Sequence, residues 1–286
     1  MSERDIKRRI RSVGEVQKIT RAMYLISSAN SQKAKDRLSI ADPYFTRIQE
    51  TMKELIEHTD PEDISLVTDN GPKRRAGIIV ITGDKGLCGD YNHNIINLAE
   101  KTMNELRYSY LLVVGAMGRD YFMRKGYNID TTLPYTAQDP TYASAVAISN
   151  IIFKFYRQGL LDEVFIVYTK YITSFKHTPT VLRVLPLDQE TLGVKERQRS
   201  HIMLKYIPSP QAVFKILTES YIKGVVYGAL VESYASEQTA RMTAMDSATK
   251  NAEDLIDKFK RLYNKERQGK ITREISEIIS SSEVLR

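Results

Sequence analysis

The chain has 286 residues, 42 Lys or Arg against 35 Asp or Glu, and a formal net charge of +7, enough for one large domain or two modest ones. Its single cysteine, Cys88, excludes an intramolecular disulfide, and no apolar run of about 18 residues is present to span a bilayer. The opening MSERDIKRRIRS lacks an apolar stretch of signal-peptide length, and Glu3, Asp5 and Glu15 argue against an acid-poor import sequence, so a cytoplasmic protein is expected.

Prolines fall at 43, 61, 72, 134, 140, 179, 186, 208 and 210, leaving 1–42 and 211–286 free of them. An internal proline removes a helix hydrogen bond, so both ends of the chain can be long helices. In the first, Ile6, Ile10, Val13, Val16, Ile19, Met23 and Ile26 recur at steps of three and four. The run SSANSQ (27–32) then interrupts the apolar stripe, and Leu38, Ala41, Phe45, Ile48, Met52 and Leu55 resume it. Because the period continues past Pro43, that proline is expected to kink the helix and not to end it. Residues 1–37 carry ten Lys or Arg and four Asp or Glu. Such a basic face suits a solvated helix, a nucleic-acid backbone or an acidic protein surface. It has few aromatics to stack bases, and its inner face is needed for packing, which favours protein over nucleic acid.

The middle of the chain alternates β-rich and helical runs. RAGIIVIT (75–82) reads as a strand, YNHNIINLAEKTMNELR (91–107) as a helix, SYLLVVG (109–115) as a strand and MGRDYFMRKG (117–126) as a helix. YNIDTTL (127–133) is a further strand, PTYASAVAISNIIFKFYRQG (140–159) a helix, and DEVFIVYTKY (162–171) and TPTVLRVLPL (178–187) a closing pair of strands. This order implies an α/β layer with parallel strands and right-handed crossovers, ending in a hairpin.

The turn ITGDKGLCGDYN (81–92) holds glycines at 83, 86 and 89. Its G-x-x-G-x-x-G spacing matches neither the dinucleotide fingerprint nor the P-loop, and the second strand ends VVGAMG without an acidic ribose partner. A structural turn is the better reading. His58, His93, His177 and His201 are scattered, with neither an H-E-x-x-H nor partner cysteines, and there is no G-x-S-x-G elbow. No catalytic, cofactor or metal site is expected.

In the C-terminal stretch, apolar or small residues recur at 217, 221, 224, 228, 231, 235, 238, 242, 245, 249, 252, 256, 259 and 263, alternating steps of four and three. A sustained period of 3.5 is the signature of a left-handed coiled coil, with Gly224 and Gly228 allowing close packing. Parallel end helices would force the middle domain to bridge roughly 85 Å for 57 residues. An antiparallel hairpin needs no bridge. Pairing 57 with 209 sets residue 1 opposite 265, so 266–286 would overhang by about 30 Å. The overhang carries its own stripe of Ile271, Ile275, Ile278 and Leu285, and leaving each in water forgoes roughly 1.5–3 kcal/mol. A partner is expected to cover them.

Taken together, IKRRIRSVGEVQKITRAM (6–23), ITGDKGLCGDYN (81–92), ASEQTARMTAMDSATKNAEDLI (235–256) and YNKERQGKITREISEI (263–278) resemble the gamma subunits of F-type ATP synthases over nearly the whole chain. The resemblance implies a long antiparallel coiled coil, formed by 1–57 and 209–286, with a Rossmann-like α/β domain at 58–208 that binds no nucleotide. It implies a non-catalytic rotor shaft at the cytoplasmic face of a bacterial plasma membrane, neither spanning the bilayer nor binding nucleic acid. Three alpha and three beta subunits would surround the coil, with an epsilon subunit and the c-ring at the globular end. By motif, Met23 and Arg241 would meet beta-subunit loops, and Gln268, Thr272 and Glu274 would make polar contacts higher up. Ile271, Ile275, Ile278 and Leu285 would turn in an apolar sleeve, and Lys205 and Tyr206 would contact the rotor. SSANSQ and Asp90 depart from the commoner family pattern, and the cysteine pair of chloroplast relatives is missing.

Overall fold

The computed structural model describes residues 2–58, 75–106, 108–130, 136–173, 176–187, 207 and 209–284. The expectations for Lys205, Tyr206 and Leu285 lie outside these. In chain order the elements are α1 (Glu3–His58), β1 (Ala76–Ile81), α2 (Tyr91–Glu105), β2 (Tyr108–Val114), α3 (Ala116–Arg124), α4 (Tyr142–Arg157), β3 (Glu163–Thr173), β4 (Lys176–Leu185) and α5 (Pro210–Val284). They divide into two compact units, one of Met1–Ser28 with Arg241–Arg286 and one of Ala29–Ala240. Among the described residues no helix is long and apolar enough to cross a membrane.

The larger unit is built on a four-stranded sheet of order β2-β1-β3-β4, parallel between β1 and each neighbour and antiparallel between β3 and β4. Every residue of β1 is buried, as expected of a central parallel strand covered on both faces. Side chains alternate across it. Ile78 and Val80 pack with Leu111, Val113 and Val167 against Ile95, Ala99 and Met103 of α2 and Phe122 of α3. Ile79 and Ile81 face the other way, with Leu112, Val114 and Ile166, onto Ile148 and Ile152 of α4, Met52 and Leu55 of α1, and Phe214 and Val226 of α5. The expected strand at 127–133 reduces to one bridge, Asp130 to Leu112, with residues 131–135 outside those described. Tyr110 donates to the Asp130 carboxylate and Asp130 N–H to Leu111 O at 2.8 Å, so this segment is pinned at one polar residue.

β3 outruns β1, whose pairing ends at Val167, and α5 takes over. Thr169 N–H donates to Ser233 Oγ (3.3 Å), Thr169 O accepts from Ser236 Oγ (3.3 Å), and Tyr171 N–H donates to a Glu232 carboxylate oxygen (3.2 Å). On the other side Thr169 lies opposite Pro179 of β4, which has no N–H to offer. Helix side chains therefore complete the hydrogen bonding of a strand end.

α1 runs through Pro43 without ending, and its inward face is the one that apolar periodicity suggests at 6–13 and 38–55 but not between 14 and 31. Its buried residues, Ile6, Thr20, Ser27, Ser31, Ala34, Ile48, Met52 and Leu55, all fall on one row whose steps alternate four and three: 6, 10, 13, 17, 20, 24, 27, 31, 34, 38, 41, 45, 48, 52, 55. Val16, Ile19 and Ile26, read from sequence as part of the inner stripe, are instead 50%, 60% and 61% exposed. SSANSQ does not interrupt the row, because Ser27 and Ser31 belong to it. In the smaller unit Thr20 Oγ1 and Thr249 Oγ1 are hydrogen-bonded at 2.8 Å, and Gln17 Nε2 donates to Glu253 Oε1 at 3.0 Å. In the larger unit Ser31 Oγ pairs with Thr239 Oγ1 at 2.9 Å. Short hydroxyl side chains thus occupy inner positions, and their hydrogen bonds across to α5 replace apolar contact. Each contributes a net of about 0.5–1.5 kcal/mol.

α5 obeys its expected stripe. Met245, Thr249 and Ala252 are buried, and Ile256, Phe259 and Tyr263 are half-buried. Glu3 lies close enough to Tyr263 to raise its phenol above the ordinary 10.0, which agrees with an antiparallel register placing residue 1 opposite 265. Residues 267–279 are exposed. Gly224 is needed on this helix: a Cβ there would lie 2.0 Å from Phe45 Cδ1. Gly228 is not, since a Cβ there meets nothing within 4 Å, correcting its expected packing role. Gly224→Ala is expected to destabilise the chain by about 1–3 kcal/mol despite its better helix propensity. Most of that loss should disappear in a Phe45→Leu background, and urea denaturation of the double-mutant cycle checks it.

Candidate functional site

The glycine turn joins β1 to α2 and is filled by its own side chains. Gly83 N–H donates to Asn92 Oδ1 at 2.8 Å, and Asn92 Nδ2 donates to Lys85 O (3.3 Å) and Cys88 Sγ (3.2 Å). The Asp84 carboxylate accepts from Ala116 N–H (2.8 Å), at the start of α3, and from Thr136 Oγ1 (2.5 Å), Ala137 N–H (2.9 Å) and Gln138 N–H (3.1 Å). A helix N-terminus attracts anions. Here the anion is the protein's own. A phosphate at this turn would have to displace Asp84 from four donors.

What the turn holds is α5. A Cβ on Gly83 would come within 2.9 Å of the Glu237 carboxyl carbon, and Glu237 is only 3% exposed. Tyr91, the first residue of α2, donates its hydroxyl to Ser233 O at 3.1 Å and packs with Cys88 and Ala240. Burial pushes its phenol well above the ordinary value of 10.0, and the Glu237 charge adds to the rise. Seven consecutive residues of α5, Ala235–Arg241, are buried, so no face of the helix is open to solvent there. Glu237, Ser233, Tyr91 and Asp84 escaped the sequence reading because each has its partner far along the chain. The one available hint is the small, polar run SYASEQTA, which suits a helix gripped on all sides.

Among the described residues, those singled out from sequence fall on α1 and at two places along α5. Met23 is half-buried on α1 and Arg241 is buried on α5. Gln268, Thr272 and Glu274 lie on the exposed end of α5, where Thr272 Oγ1 donates to Gln268 O at 3.0 Å and Glu274 pairs with Lys270 at 3.7 Å. Ile271, Ile275 and Ile278 are 47%, 51% and 67% exposed on the same segment, joined by Ile279 at 54%. The basic side chains Arg4, Lys7, Arg8, Arg9 and Arg11 are displayed to solvent. Arg8 pairs with Asp5 and Arg11 with Glu15, both at 3.4 Å and exposed, which adds little stability. No group of His, Cys, Asp and Glu side chains among the described residues could hold a metal ion.

Residues 2–285 match the family model described as ATP synthase. The ATP synthase gamma chain of Caldanaerobacter subterraneus subsp. tengcongensis is 42% identical over 301 residues, covering 99% of this chain and 100% of the relative. That of Acetivibrio thermocellus is 39% identical over 290 residues, covering 99% and 98%. Among solved structures, a chain of the Euglena gracilis mitochondrial ATP synthase OSCP/F1/c-ring assembly superposes with a TM-score of 0.65 at 16% identity, covering 99% of this chain and 94% of that one. A chain of the Tetrahymena thermophila mitochondrial ATP synthase central stalk and c-ring gives 0.58 at 21% identity, covering 80% and 99%. With a family match across the chain, relatives near 40% identity over their whole length and a shared fold, this protein belongs to the ATP synthase gamma chain family.

Proposed function

We infer that this chain is the central rotor shaft of a bacterial F-type ATP synthase, a non-catalytic subunit that carries torque between a membrane c-ring and catalytic beta subunits. The observation that supports this most directly is the exposed isoleucine row on the last part of α5, beyond the residues paired with α1. Such a row on a single helix suits an apolar bearing. In this reading, 1–57 and 209–286 form an antiparallel coiled coil, and 58–208 is a Rossmann-like domain whose glycine turn holds the shaft and not a nucleotide. Alpha and beta subunits, three of each, surround the coil. Epsilon and the c-ring meet the globular end, with Lys205 and Tyr206 on the rotor side. Met23, Arg241 and the exposed basic residues of α1 serve the beta-subunit loops. Gln268, Thr272 and Glu274 serve the upper contacts, and Leu285 extends the isoleucine row. The complex sits on the cytoplasmic face of the plasma membrane, with this chain peripheral to it.

The test is ATPase activity and gel filtration of the purified chain, alone and with alpha and beta subunits from the same source. The chain should be inactive alone and enter a stoichiometric complex. Deleting 266–286 should leave the circular dichroism per residue intact and lower the turnover of the complex. A chain that hydrolyses ATP alone and ignores the other subunits overturns the reading.

A further inference from the structure

Within the larger unit, α1, α5 and the β3–β4 hairpin enclose a cleft of about 220 Å3. Phe45 of α1 and Tyr221 and Tyr227 of α5 line it, with the Phe45 and Tyr227 rings 6.5 Å apart and tilted. Gly228 contributes no side chain, which leaves the space open. Two carboxylates belong to the same lining, Asp42 exposed at the mouth and Glu232 half-buried on α5. On a chain of net charge +7, no Lys or Arg is among the described residues that line this cleft. Burial holds the Glu232 carboxyl above its ordinary 4.5, even with Tyr171 N–H and the Lys170 charge favouring ionisation. Its negative charge is thus poorly solvated. An adjoining recess shares Asp42 and Glu232, and there Lys35 Nζ lies 5.1 Å from the centre of the Tyr171 ring. A cation over an aromatic face, beside these two acids, is already part of the fold.

We propose that the cleft binds a small organic cation, an alkylated ammonium whose apolar body lies among the aromatic side chains and whose charge is met by Glu232 and Asp42. Aromatic faces attract such cations, and anions are disfavoured by both carboxylates. The volume lies below the roughly 300–1,000 Å3 of drug-sized sites, so the guest has few heavy atoms. A bare calcium ion would call for about six to eight oxygen ligands, and the aromatic lining does not supply them.

Isothermal titration of the full chain with tetramethylammonium chloride tests this, with sodium chloride and tert-butanol as controls. Saturable one-site binding of tetramethylammonium alone is expected. Glu232→Gln keeps an oxygen for Tyr171 N–H but removes the charge, and should weaken binding about tenfold or more. Gly228→Leu sends its side chain into open space and should abolish binding with the circular dichroism unchanged. If Glu232→Gln does not fold, Gly228→Leu decides the matter. Absence of saturable binding, equal binding of tert-butanol, or binding that survives both substitutions overturns the proposal.

Discussion

Gly115→Val is expected to abolish soluble expression of the chain, or to cost about 4 kcal/mol or more if it folds. Gly115 sits between β2 and α3 with φ +95°, a region that β-branched residues avoid. Strain is the smaller part. A Cβ there would lie 2.2 Å from Thr82 O and 2.6 Å from Thr82 Oγ1, and Thr82 cannot retreat. Its N–H donates to Val114 O at 2.9 Å, its hydroxyl donates to the same oxygen at 3.0 Å, and that hydroxyl accepts from Gly118 N–H at 3.0 Å. Gly126 separates the two effects, since its φ is +81° but a Cβ there meets nothing within 4 Å. Gly126→Ala should lose only about 1–2 kcal/mol of backbone strain. Urea denaturation of both variants checks the contrast, and a Gly115→Val protein within about 1 kcal/mol of wild type would defeat the argument from contact.

The second large effect separates two neighbouring residues. Arginine at position 20 should destabilise by about 3 kcal/mol or more, whereas arginine at position 19 should change stability by less than about 0.5 kcal/mol. Thr20 is 8% exposed with its hydroxyl against Thr249, while Ile19 is 60% exposed. Thr20→Arg therefore drives a long charged side chain into a buried position filled by a hydroxyl pair. Ser31→Arg, at a site 3% exposed, should behave like Thr20→Arg. Thermal unfolding followed by circular dichroism should show a fall of roughly 6–12 °C for the seam variants. A stable Thr20→Arg beside an unfolded Ile19→Arg would mean that the apolar stripe faces inward after all.

These contrasts explain what could be read from the sequence. Strands such as AGIIVI and YSYLLVV were legible because β-branched and aromatic runs between glycines and prolines have few other uses. The α5 stripe was legible too, since Met245, Ala252, Ile256 and Phe259 are apolar where they pack. α1 misleads between residues 14 and 31, where its inner row switches from apolar side chains to Gln17, Thr20, Ser27 and Ser31, whose burial depends on hydroxyl and amide partners across the helix pair. The outcome at the glycine turn was visible as a wrong spacing for phosphate, but not the reason for the turn. Glu237, which Gly83 makes room for, lies on α5, far along the chain.

The hydroxyl pairs also act as a detent. An all-apolar seam is nearly indifferent to a sliding step of one heptad, because one branched side chain replaces another. If α1 slid by seven residues along α5, Thr20 would leave Thr249 and face Met242 or Ile256, and each hydroxyl pair lost would cost about 0.5–1.5 kcal/mol, since Thr20 and Thr249 keep the bonds to Gln17 O and Met245 O within their own helices. Two such pairs, Thr20 with Thr249 and Ser31 with Thr239, favour one alignment of the helices over a shifted one. For a part that must return to the same alignment after every turn, the weak-looking polar residues of α1 are what keep its zero point.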